Sequence, residues 1–286
     1  MAMNPYLQFI SNYAQLVRDA KSLPLGGFAP SPRPALKADA PCVLIFSPHP
    51  DDECVIGALA LRLMQEAGMR VVNVAVTQGS NKARQPERWN ELKAACDFLG
   101  FGLVATAPGG LEKITPKTRE QDHELWSKHV KVISDILSEH KPRAILFPHE
   151  RDWNGTHIGT HHLVMDALKS LPPAFECYAF ETEYWGQMSD PNLMVETSTE
   201  DLGRLMAALS FHVGEVKRNP YHVTVPAWMM DNVRRAEVVG GQGGAPPDFM
   251  FATNYRLRKW SQGNLNRIFS GGKFLSKSQN PASLLT

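Results

Sequence analysis

The sequence predicts an α/β fold, a Rossmann-like sandwich around a mostly parallel sheet, with a helix in front of it and a helical extension behind. Three observations carry this expectation. Apolar runs of strand length recur at CVLIFS (42–47), RVVNVAVT (70–77) and RAILFP (143–148). Helical periodicities lie between and after them, at roughly 52–67, 86–99 and 119–139, and strands that alternate with helices call for parallel pairing through right-handed crossovers. Finally, 286 residues of which 43% are hydrophobic can bury one sizeable core, so one domain with decorations is expected.

Each element has a local reason. Residues 4–21 place Tyr6, Phe9, Ile10, Tyr13, Leu16 and Val17 at helical spacing, which predicts an amphipathic helix. Five prolines between Pro24 and Pro41 predict an extended connector. LVATA (103–107) and FECYAFET (175–182) are weaker strand candidates. From Asp201 to Val239 the pattern is helical, interrupted near Asn219-Pro220, and Gly240 to Pro247 reads as a Gly/Pro-rich loop. The expected division is therefore 1–41 for the helix and connector, 42–270 for the main domain and 271–286 for a polar tail.

Charge and composition narrow the partner. Thirty basic residues against twenty-nine acidic ones, with no long run of either sign, point away from nucleic acid. The chain has no basic start leading into an apolar core and nowhere offers ~20 uninterrupted apolar residues, so no membrane association is expected. Cys42, Cys54, Cys96 and Cys177 show no CxxC spacing. A cytoplasmic protein acting on a small molecule is expected, and a homo-oligomer is left open.

Chemistry concentrates at two places. FSPHPDDECVIGA (46–58) sets His49, Asp51, Asp52 and Glu53 at the carboxyl end of the first strand, where open parallel sheets bind ligands. Pro50 suits a first helical turn and the acids suit a helix N-terminus, but adjacent carboxylates at a buried turn repel unless a cation shares the site. His49 and Asp52, three residues apart, can face one ion while Asp51 stays free to handle a proton. After the strand ending at Pro148 come His149, Asp152, His157, His161 and His162 at the mouth of the same sheet. Asn154-Gly155 marks a turn, Thr156 is a candidate helix cap, and His157 and His161 then fall on one face as i and i+4.

With these motifs the sequence resembles the PIG-L/LmbE-like zinc-dependent N-deacetylases, which remove acyl groups from amino sugars and related amides. The resemblance runs over about 42–185 and includes PHPDDE, VTQG (76–79) and RWNEL (88–92) followed by Ala94, Ala95 and Leu99-Gly100. It implies Zn²⁺ as cofactor, His49 and Asp52 as metal ligands and Asp51 as general base. The family's distal motif reads His-x-Asp/Thr-His. Here His157-Ile-Gly-Thr-His161-His162 is one residue longer, so matching Thr160-His161 makes His161 the third ligand, His162 its competitor and His157 the residue that assists catalysis. Arg88 holds a substrate hydroxyl or anionic group, or else pairs with Glu87 or Glu91. Asp152 matches an acid that precedes the distal motif and contacts substrate, or else forms an Asx turn. Trp153, Tyr184 and Trp185 could stack on a pyranose. The expected substrate is an amino sugar such as an N-acetylglucosaminyl compound. Two other classes stay open: an iron oxygenase using the same two-His-one-carboxylate set, and a non-catalytic sugar- or nucleotide-binding module.

Overall fold

In the computed structural model of the chain, residues 4–240 and 246–286 are described. Nine strands form one sheet: β1 (Cys42–Ser47), β2 (Arg70–Ala75), β3 (Gly102–Ala105), β4 (Ala144–Pro148), β5 (Cys177–Thr182), β6 (Leu193–Glu196), β7 (Ala252–Ser261), β8 (Asn264–Arg267) and β9 (Lys273–Leu275). The order is β3-β2-β1-β4-β5-β7-β6-β9, with β8 a hairpin partner of β7. The first five in that order pair in parallel, while β7 runs antiparallel to both β5 and β6. The α/β class and the mostly parallel sheet are as the sequence predicts. Because β1 and β4 are buried along their whole length and β2 from Val71 onward, helices must cover each side. Two hydrophobic clusters do so, one including Leu59, Leu63 and Leu205 and the other Ile133, Leu137 and Val164.

The chain reverses direction between β1 and β4: β2 and β3 build outward from β1, and β4 and β5 build the other way. Loops leaving the carboxyl ends of β1 and β4 therefore diverge, and the crevice between them is where such a sheet receives a ligand.

Several expectations change. The helix anticipated at 52–67 is two, Asp52–Val55 and Ala58–Ala67. A Cβ on the intervening Gly57 would lie 2.1 Å from the Glu53 carbonyl oxygen, so only glycine allows the chain to bend there. The N-terminal helix exists, as Pro5–Ala20, yet none of its residues is buried. The polar tail is not a tail. Residues 273–275 join the sheet beside β6, Leu284 and Leu285 are buried in the core, and the buried Arg62 donates to the carbonyls of Ser276 (3.1 Å) and Gln279 (2.8 Å). Most of the loop expected at 240–247 lies outside the described residues. No helix among the described residues is long and apolar enough to cross a membrane.

Candidate active site

The turn after β1 is built around its acids. Asp52 Oδ2 accepts the His49 backbone N–H at 2.8 Å and so closes the turn over Pro50. Asp51 has φ 116° and ψ −28°, a left-handed conformation that costs a non-glycine residue ~1–3 kcal/mol unless its surroundings hold it. Glu53 does the holding. Its Oε2 accepts the Asp51 N–H at 3.0 Å, and its Oε1 accepts from Cys54 Sγ at 3.2 Å and from His212 Nε2 at 2.7 Å. Both Glu53 and His212 are fully buried. Burial disfavours a charged His212, but the Glu53 carboxylate beside it outweighs that and raises its pKa. The third acid of the motif thus ties the turn after β1 to the far half of the chain.

The second cluster arrives on the helix Gly155–Ser170. Its cap is Asn154, whose Oδ1 accepts the Thr156 N–H at 2.8 Å, and not Thr156 itself. From the first turn His157 reaches the β1 loop: its Nε2 lies 3.5 Å from Asp52 Oδ2, as does His49 Nδ1. The donor atoms of His49, Asp52 and His157 all lie within 4.8 Å of one another. His157 Nδ1 faces Asp152 Oδ2 at 3.6 Å, while Asp152 Oδ1 accepts the Asn154 N–H at 2.8 Å in the Asx turn. Asp152 is buried, so it orients the imidazole and closes the turn from within.

His161 does not join this group. One turn further along the same helix, its Nδ1 donates to the Pro148 carbonyl at 2.9 Å and it neighbours Glu150 and Glu181. The reason is axial position: four residues of helix advance ~6 Å, and only His157 is level with the β1 loop. His162 is not among that group either; it is half-buried and edge-on to His161. His149 is occupied, with Nε2 donating to the Gly186 carbonyl at 2.8 Å and Nδ1 accepting from Arg151 N–H.

His49, Asp52 and His157 fit a metal ion. His157 Nε2 is buried without a hydrogen-bond partner among the described residues, and such an orphaned nitrogen beside a carboxylate oxygen costs ~1–3 kcal/mol unless something binds it. Its Nδ1 is backed by a carboxylate, the arrangement metal-ligating histidines use. Burial pushes the Asp52 pKa up, but His157 and His49 beside it bring it below the ordinary range, so it is a carboxylate. Burial and the Asp52 charge hold the Asp51 carboxyl well above that range.

A cleft of about 390 Å³ opens over these residues, lined also by Gly79, Arg88, Tyr184, Trp185, Glu215 and Tyr221. That volume is typical of small-molecule sites, ~300–1,000 Å³. Arg88 pairs with neither Glu87 nor Glu91. Its Nη2 donates to the Pro50 carbonyl at 2.9 Å and its Nε lies 3.7 Å from Glu215 Oε1. Tyr184 and Trp185 stand on the cleft wall with ring centroids 4.9 Å apart, whereas Trp153 is 81% exposed and away from it. Sequence reasoning missed His212, Glu215 and Tyr221. The break at Asn219-Pro220, which brings Tyr221 round to Tyr184, was the one signal they left.

Residues 44–168 match the family model described as PIG-L: GlcNAc-PI de-N-acetylase. Over this segment the chain is similar to the PIG-L family. The match supports a hydrolase of the N-deacetylase class. No curated protein matches it by sequence. Among solved structures it is similar to the N,N'-diacetylchitobiose deacetylase from Pyrococcus horikoshii (16% identity, TM-score 0.56, 87% of this chain and 92% of that one). The A40926 pseudoaglycone deacetylase Dbv21 is also similar (17%, 0.54, 75% and 96%), as is GalB, the 4-carboxy-2-hydroxymuconate hydratase from Pseudomonas putida KT2440 (17%, 0.55, 76% and 95%). At such identities the likeness is one of fold, and the fold serves deacetylases and a hydratase alike.

Proposed function

We propose that the protein is a zinc-dependent N-deacetylase that removes the acetyl group from a soluble, cytoplasmic amino-sugar compound, with His49, Asp52 and His157 as the metal ligands. The observation that carries this reading is the buried His157 Nε2, unpartnered and facing Asp52 beside His49. Two imidazoles and one carboxylate are a zinc-type donor set that leaves coordination open. When bound, the ion would supply an acidified water and a polarised acyl carbonyl.

The chain's own residues do the rest. Asp51 lines the cleft beside Asp52 and accepts the proton of the attacking water. A carboxyl raised by burial is suited to that task, and a cation beside it would draw its pKa back toward the working range. The water oxygen bonds to the acyl carbon, the C–N bond breaks, and Asp51 returns the proton to the departing amine, leaving acetate and a free amino group. Asp152 keeps His157 turned toward Asp52, Arg88 binds a polar substituent of the substrate, and Trp185 with Tyr184 offers the sugar an apolar face.

The test is a panel of N-acetylated sugars, their conjugates and simple amides, scored for released acetate with and without chelator, alongside metal analysis of the purified protein. Chelator-sensitive release from sugars, with about one zinc per chain, is expected. Release from non-sugar amides alone would leave a zinc amidase and remove the amino sugar. Full activity without metal would end the reading.

A further inference from the structure

The cleft has a side recess of which the proposed chemistry uses only Arg88. It holds about 240 Å³ and is lined by Gln78, Ser80, Asn81, Arg84, Arg88, Glu215 and Arg218, four of which also line the catalytic cleft. Three guanidinium groups therefore surround one carboxylate. Arg84 Nη1 donates to Glu215 Oε1 at 3.1 Å, Arg218 Nη2 donates to Glu215 Oε2, and Arg88 Nε stands 3.7 Å from Oε1. Of the other acids nearby, Glu91 uses Oε1 to accept the Gly214 N–H at 2.8 Å and keeps Oε2 without a hydrogen-bond partner among the described residues, and Asp51 of the turn after β1 acts on Arg88 and Arg218 from a distance.

The recess is built to hold these cations. A Cβ on Gly79 would lie 2.3 Å from Arg88 Nη1, and one on Gly214 would lie 2.2 Å from Arg84 Nη2, so glycine at both positions makes room for the guanidinium groups. Arg84 Nη2 and Arg88 Nε are buried without hydrogen-bond partners among the described residues. Three guanidinium groups share Glu215, and the two buried donors left unspent among them suit an anion from outside.

We propose that this recess is a subsite for a phosphate group on the substrate, so that the enzyme deacetylates a phosphorylated amino sugar in preference to a neutral one. The proposal rests on the deacetylase reading for its link to turnover, but not for the binding itself. Phosphate suits the geometry better than carboxylate. The guanidinium groups approach from three places, the turn before the helix Gln85–Leu99, that helix, and the end of the helix Val213–Arg218. A tetrahedral anion can meet donors from several directions, whereas a planar carboxylate is matched by one fork. Arg218 lies outside the matched residues 44–168, and its side chain, 64% exposed, is held at the mouth by Glu215. It is a specificity residue of this chain.

The experiment compares wild type, R218Q and R84Q/R218Q in two assays. In the first, kcat/KM is measured for N-acetylglucosamine, its 1- and 6-phosphates and N-acetylmuramic acid. One phosphate should be favoured over the neutral sugar by at least about tenfold, a ratio that charge-assisted hydrogen bonds supply. That ratio should fall in R218Q and approach one in the double variant, through KM. In the second, inorganic phosphate is titrated by calorimetry, which reads the recess without turnover, and affinity should drop about tenfold or more in the double variant. Phosphate binding lost in the variants while no sugar is cleaved by wild type would sink the deacetylase reading and keep the subsite. Equal kcat/KM for neutral and phosphorylated sugars, a stronger preference for the carboxylated sugar, or phosphate affinity unchanged in the variants would each overturn the proposal.

Discussion

One helix, Gly155–Ser170, carries two histidine–carboxylate clusters a single turn apart, and they have opposite characters. Around His157 stand His49 and Asp52, with no arginine or lysine within ion-pair distance of Asp52 among the described residues, and a buried ring nitrogen is left unpartnered. Around His161 stand Glu150 and Glu181, and there the charge is already answered. Arg256 binds Glu181 through Nε and Nη2 at 2.7 Å each and also pairs with Glu150, while Arg258 Nη2 reaches Glu181 at 2.5 Å. Both sets place histidine and acid within 4.8 Å, as a metal site would. What separates them is whether the protein supplies its own cation: arginines from β7 fill the second site and leave the first to a ligand from outside.

The largest effect should break the comparison if it is wrong. His157→Ala should remove bound metal and activity together, and His161→Ala should keep the metal; metal analysis of the two purified variants decides it. The reverse pattern would exchange the roles of the two clusters. Next is Asp51→Asn, which should retain metal yet lose ~10²–10⁴ of kcat. Metal lost with the rate would make Asp51 a ligand.

The second cluster should show its character in stability. Arg256→Met strands the half-buried Glu150 and leaves Glu181 to Arg258 alone, so it should destabilise by ~1–3 kcal/mol in denaturant titration, with bound metal unchanged in the folded fraction. The third cluster, Glu53 with His212, tests whether a remote residue supports the catalytic turn. His212→Leu should cost ~1–3 kcal/mol and lower kcat, and His212→Gln, which can still donate to Glu53, should recover part of both. A kcat that does not recover with stability would remove the link between Glu53 and Asp51.

The smallest effect is in pH. Burial lowers the His161 pKa to about 4, so its folded value lies below the unfolded one and the folded state favours the neutral ring. Its contribution is complete above the unfolded pKa and is lost as pH falls from ~6.5 toward about 4. Glu150 is brought to about 2 because Arg256 outweighs the upward push of burial, so its contribution is present above the usual carboxylate pKa and fades below it. Unfolding midpoints of wild type and His161→Gln should therefore converge as pH drops from 7 to 4. Parallel curves would show that His161 does not titrate in this way.

The first half of the fold was legible because its signals are local. Apolar runs buried on both faces announced β1, β2 and β4, and prolines, glycines and caps marked their ends. The same local chemistry marked PHPDDE as a site, because three acids and a histidine at one strand end have no cheap structural use. The C-terminal strands escaped notice for a physical reason. In β7, ATNYRLRKWS, the charged Arg256 and Arg258 reach Glu181, 75 and 77 positions earlier, and nothing local in the sequence distinguishes such arginines from surface ones. Leu284 and Leu285 likewise look like a tail until the helix Ala58–Ala67 packs beside them. The sequence by itself determined the sheet class, the acidic turn after β1 and the pool of histidines. Only the tertiary structure decided which histidine faces Asp52, because helix phase and the depth of each turn against β4 and β5 are set by packing, and i and i+4 look alike until the helix is docked.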